Sequence, residues 1–169
     1  MKLRSWRFDL TLAHRWTIAS GLEPGGSGGK DFYPVVFVEL TDEQGNTGTG
    51  EAAPSDRYRE SVVNAAAFVE IVNLYHLSFA DPAGSMRYIR SLGPGNHAIK
   101  GALDLALLDG AAKLAGKPIC DFLGLGFHEN RHISSFSIGI DTPDMMRRKV
   151  TDADLYPVLK LKVGGPTDR

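Results

Sequence analysis

Two lysines one residue apart, Lys160 and Lys162, are the side chains of this sequence best suited to chemistry. They lie near the end of a stretch, residues 156–163, that reads as a strand, and residues two apart on a strand point to one face. Leu159, Leu161 and Val163 then point to the other. Two like charges held close together disfavour double protonation, so one amine can give up its proton and act as a base near neutrality. A lone Lys-x-Lys is ordinarily a solvated pair. Here the pair falls at the C-terminal end of a strand that reads as parallel, where barrel active sites gather. The inner wall of a barrel is also a poor place for two unpaired charges without a function.

Other candidates are weaker. Gly25-Gly26-Ser27-Gly28-Gly29 precedes Lys30, but Asp31 follows where a phosphate loop needs Ser or Thr, and Pro24 stands where it needs Gly. The surviving readings are an inert flexible loop or a lid over a pocket. Gly48-Thr49-Gly50-Glu51-Ala52 reads as structural, its glycines permitting close packing and Glu51 pairing locally. His14, His76, His97, His128 and His132 have no metal-ligand spacing. Asp104 and Asp109 read as helix surface or a salt bridge, and Cys120 as a small buried residue.

The elements that must position the lysine pair follow from periodicity. Trp6, Phe8, Leu10 and Leu12 share one parity, which predicts a strand with one face buried. Residues 35–40 and 47–52 predict two more strands joined by the turn at 42–46, completing an antiparallel meander. Ser61 predicts a helix cap, with Val62, Val63, Ala66, Val69 and Leu74 as apolar positions. A short helix is expected over 86–92 and a strong one over 96–115, its wide face made of Ile99, Ala102, Leu103, Ala106, Leu107 and Ala111. Gly116 and Pro118 end it, and residues 119–125 suggest one more turn. From about residue 130 the pattern becomes strand (136–140), helix starting at Thr142-Pro143, then strand (156–163): a parallel βαβ unit.

Composition bounds the partners. The 169 residues are 43% hydrophobic and 23% charged, as in globular chains, with 19 Lys and Arg against 20 Asp and Glu. That balance gives no reason to expect nucleic acid or an acidic membrane surface. One cysteine excludes an internal disulfide. No signal peptide or membrane-spanning run is evident, so the chain reads as cytoplasmic.

Three segments in order resemble the enolase superfamily, in its mandelate racemase/muconate lactonizing enzyme group, and most of all its dipeptide epimerases. They are the hairpin from Val35 through Gly45 to Gly48-Thr49-Gly50-Glu51-Ala52-Ala53-Pro54; the helix Ala102-Leu103-Asp104-Leu105-Ala106-Leu107-Leu108-Asp109 with Gly116-Lys117-Pro118 and Leu123-Gly124; and Leu159-Lys160-Leu161-Lys162-Val163-Gly164. The resemblance implies an α+β capping domain (a three-stranded antiparallel meander plus helices) over residues 1–127. Over 128–169 it implies the first βαβ unit of a (β/α)8 barrel, truncated and incomplete. It implies abstraction of a proton α to a carboxylate, with Mg²⁺ stabilising the enediolate. Lys162 would be the base on one face and Lys160 its charged neighbour. Ser137, Trp16 and Ile18 would line the site of a small carboxylate substrate such as a dipeptide. The three acidic metal ligands and the opposite-face base of such enzymes come from later barrel strands, so no metal ligand is expected within the chain. The chain alone is expected to be inert, and its parent a homo-oligomer. A muconate-type cycloisomerase, an o-succinylbenzoate synthase, and a non-catalytic fragment that packs on a partner are the alternatives.

Overall fold

The computed structural model describes residues 1–19 and 28–164, so the glycine-rich segment read above as loop or lid lies largely outside the described residues. The chain separates into two compact units, Met1–Asp9 with Pro34–Phe127, and Leu10–Tyr33 with His128–Arg169.

Strands β1 (Lys2–Trp16), β2 (Lys30–Thr41) and β3 (Thr47–Ala52) form one sheet in that order, of which Lys2–Asp9, Pro34–Thr41 and β3 belong to the first unit. β2 and β3 are an antiparallel hairpin that sets Val38 opposite Gly50 and Leu40 opposite Gly48. The Asp42 carboxylate closes the turn by accepting from the N–H groups of Gln44 and Asn46 and from the Asn46 side-chain amide. These are the local bonds that make Asp and Asn turn residues. Helices α1 (Val62–Glu70), α2 (Pro82–Ser91), α3 (His97–Leu114) and α4 (Ile119–Phe122) follow. Val36, Val38 and Leu40, alternate residues of β2, join Phe68, Ile89, Leu103 and Leu107 in a single buried cluster.

α3 is the pillar of this unit, and all six of its expected core positions are buried. Its first turn is capped from a distance: both oxygens of Glu60 accept from the N–H groups of His97 and Ala98. That satisfies donors a helix start leaves orphaned. At its other end the Lys117 N–H bonds to Ala112 O and the Gly116 N–H to Lys113 O, with Gly116 left-handed, the glycine stop expected of the sequence. β3 lies directly on α3. A Cβ at Gly48 would stand 2.0 Å from Ala106 O, and one at Gly50 would stand 1.9 Å from Ala102 O. Asp109 fastens the contact, accepting from the Thr49 N–H at 2.9 Å and pairing with Lys113 at 2.6 Å. No described cation pairs with Glu51, which is exposed.

Two expectations need correction. Trp6 and Phe8 are 41% and 51% exposed, so the buried face expected of their parity begins only at Leu10 and Leu12, which are half-buried between exposed neighbours. Leu3, of the opposite parity, packs on the core, while on the side away from the helices the Trp6 ring stacks on Phe37 and the Phe8 ring meets it edge-on. In α1, Ser61 caps as expected, accepting from the Asn64 N–H. Val63 and Ala66 nevertheless face solvent, because the bulk of Phe68 rotates Ala65, Phe68 and Val69 inward.

The second unit holds strand β4 (Ser135–Ile138), helix α5 (Pro143–Asp152) and strand β5 (Val158–Leu161), with β4 and β5 parallel. Thr142 caps α5, accepting from the Met145 N–H, and Pro143 occupies the first turn. Ile138 is buried. No described helix is long and apolar enough to cross a membrane.

Candidate active site

The βαβ unit sets the geometry of the lysine pair. Parallel register places Ser135 beside Val158, Phe136 beside Leu159, Ser137 beside Lys160 and Ile138 beside Leu161. Paired residues of neighbouring strands point to the same side of the sheet. Ser137 and Lys160 therefore share a face, opposite to Ile138 and Leu161. The Lys162 N–H donates to Ile138 O at 2.9 Å, so the ladder continues to that residue, and the period of two returns its side chain to the Lys160 face. Both lysines stand at the carboxyl ends of the two strands. Lys160 is exposed and Lys162 half-buried. Leu161 and Val163, expected on the face opposite the lysines, are 52% and 71% exposed. Among the described residues this sheet has two strands, and β5 is exposed at Val158, Lys160 and Leu161.

The end of β1 meets β4 within the same unit. The Ile140 N–H donates to Thr17 O at 2.9 Å. A cavity of about 510 Å³ opens there, lined by Leu12, His14, Trp16, Tyr33, Ser137 and Lys149 among others. Trp16 and Ser137 thus line one cavity. Ile18, Lys160 and Lys162 are not on its wall.

Two groups escape a reading of the sequence. Lys149 is 3% exposed and donates to Asp141 Oδ2 at 2.9 Å and to Arg15 O at 3.2 Å. It stands four residues after the half-buried Met145 and four before the buried Ala153, on the inward face of α5. That helical spacing was the available signal, obscured by the run Arg147-Arg148-Lys149, which reads as a solvated face. Asp141 is the second. Burial pushes its carboxyl upward, but hydrogen bonds from Lys149 and the Thr142 N–H, with the charges of Lys149 and His14, outweigh that and hold it below the usual carboxylate range. His14 also meets Asp152 at 3.4 Å. Arg15 bonds to Gly28 O and Gly29 O and to the Asp31 carboxylate at 2.6 Å. Among the described residues no three His, Cys, Asp or Glu side chains come together to hold a metal ion.

A three-stranded meander with helices, followed by a parallel βαβ unit with its polar side chains at the strands' carboxyl ends, is the arrangement of a capping domain and the opening of a (β/α)8 barrel. Residues 27–124 match the model of the mandelate racemase / muconate lactonizing enzyme N-terminal domain. The chain belongs to that family, within the enolase superfamily. It is 51% identical, over all of its length, to an L-Ala-D/L-amino acid epimerase of Pedosphaera parvula (strain Ellin514). It covers 48% of that relative, so the chain spans about half the length of the curated protein it matches. An enolase family member from Agrobacterium tumefaciens with homology to dipeptide epimerases, its crystal structure holding sodium and L-Ala-L-Glu, superposes with a TM-score of 0.74 at 26% identity. That match covers 95% of this chain and 45% of the other. The dipeptide epimerase from Cytophaga hutchinsonii, complexed with Mg and D-Ala-L-Val, shares the fold with a TM-score of 0.80 at 24% identity, over 96% of this chain and 44% of its own.

Proposed function

We propose that this chain supplies the capping domain and one catalytic face of a dipeptide epimerase, residues 1–127 forming the cap and 128–169 opening the barrel. The observation that carries the reading is the register that sets Lys160 beside Ser137, with Lys162 next along, at the carboxyl ends of two parallel strands. The 51% identity to an L-Ala-D/L-amino acid epimerase supports the substrate class.

In this reading the Lys162 amine takes the proton from the substrate α-carbon, and the C–H electron pair passes into the carboxylate as an enediolate. The Lys160 ammonium lies on the side where that negative charge grows and stabilises it. Ser137 contacts the substrate from β4, and Trp16, on the wall of the same cavity, closes around its side chains. Return of a proton to the opposite face, by a second base that the resemblance places on a later barrel strand, inverts the centre. Mg²⁺ accompanies the reading, as in the Cytophaga hutchinsonii relative. The described residues do not make its site; when bound it would supply the positive charge that makes the enediolate accessible, while the chain's own contribution to the first proton transfer is the Lys162 amine with Lys160 beside it.

The test joins residues 1–169 to the remaining barrel of the Pedosphaera parvula relative and incubates the fusion with an L-Ala-X dipeptide library in D₂O. Exchange of the α-proton with accumulation of the epimer is expected for at least one dipeptide. Absence of exchange across the whole library, from a folded fusion, contradicts the reading.

A further inference from the structure

Lys149 has no part in the proton transfer above, yet among the described residues it is the most deeply buried cation of the second unit. A buried ion pair costs desolvation, and apolar side chains of the same volume often serve stability as well or better. What the pair provides instead is direction. One ammonium hydrogen bonds to Asp141 Oδ2, whose carboxylate is itself fixed by the Thr142 N–H at the start of α5. Another bonds to the main-chain oxygen of Arg15, the residue before Trp16. The Arg15 side chain in turn holds Gly28 O, Gly29 O and Asp31, on the return leg toward β2. A chain of contacts therefore runs from α5 through a single residue to both Trp16 and residues 28–31. All of it lies within one compact unit.

We infer that Lys149 is a positioning residue that sets substrate affinity by fixing the Arg15 backbone, and with it Trp16, beside Ser137. The inference rests on the dipeptide-site reading for its substrate and on the buried geometry alone for its mechanical part. Lys149 touches no reacting atom, so its loss acts on binding more than on the chemical step.

Two measurements test it. The chain has two tryptophans, so a Trp6→Phe background makes Trp16 the sole indole of the 169-residue protein. There, Lys149→Met keeps the packing and removes the hydrogen bonds, and acrylamide quenching of Trp16 is expected to rise about twofold or more as the segment loosens locally. If Lys149→Met does not fold, Lys149→Met with Asp141→Asn leaves no unpaired charge and is measured instead. Quenching unchanged in the folded variant overturns the mechanical part. In the fusion with the relative's barrel, Lys149→Met is expected to raise KM about tenfold with kcat within about threefold, the pattern of lost uniform binding. A fall in kcat at constant KM, or no change in either, overturns the affinity role. A parent fusion that turns over no dipeptide sinks the epimerase reading, while the quenching result still decides whether Lys149 holds Trp16.

Discussion

Asp141 carries a pH dependence whose sign follows from its surroundings. Its carboxyl is held low: burial opposes this, and the Lys149 hydrogen bond, the Thr142 N–H and the charges of Lys149 and His14 prevail. A group whose folded value is depressed contributes stability above the ordinary carboxylate range and loses it as pH falls through the folded value. Urea midpoints of the chain, measured from about pH 6 down to about pH 3, are expected to fall, and Asp141→Asn to flatten that dependence. Identical profiles for the two proteins would contradict the assignment. Lys160, Lys162, Ser137 and Trp16 were legible as candidates because alternation and a known motif mark them. Lys149 was not, because a sequence shows three adjacent cations with equal claims to solvent. Only the phase of α5 decides which one turns inward, and in a helix of ten residues that phase is set by tertiary packing.

The contact between β3 and α3 decides the capping domain at the scale of elements. Gly50 has Ala102 O where a methyl group would go, so Gly50→Ala must push strand and helix apart. Overpacking of this kind costs about 1–3 kcal/mol, read as a lower urea midpoint; an unchanged midpoint would show that the layers yield freely. Glu60 is the other joint. Glu60→Ala removes two acceptors from the start of α3 and is expected to cost about 1–2 kcal/mol. Glu60→Asp, a shorter reach with the same charge, should recover only part of that. A variant as stable as the parent would argue that water replaces the cap at no cost. The meander, the turn at 42–46 and the face of α3 could be read in advance, since long periodic segments carry their own burial pattern. The phase of α1 could not, nor the side on which Trp6 and Phe8 lie. Period two says that a strand has two faces, and only the third dimension says which one the helices cover.

As a molecule, the chain matches its relatives over about half of their length, with 48% of the Pedosphaera parvula epimerase covered. Within it, the face bearing Lys160 and Ser137 belongs to a two-stranded sheet. One base on one face can remove a proton but cannot by itself invert the centre. In the proposed reading the opposite-face base lies on a later barrel strand, so residues 1–169 tested by themselves are expected to give no epimerised dipeptide, even with Mg²⁺ added, and measurable turnover would refute this. The most direct test of the central claim is stereochemical. Fusions of residues 1–169 with the relative's remaining barrel, unmodified and Lys162→Ala, are given each epimer of one good substrate in D₂O, and solvent-deuterium incorporation is followed by NMR. If Lys162 serves one face, its loss abolishes exchange from one epimer and leaves exchange from the other measurable. Equal exchange from both epimers in the Lys162→Ala protein would contradict the account.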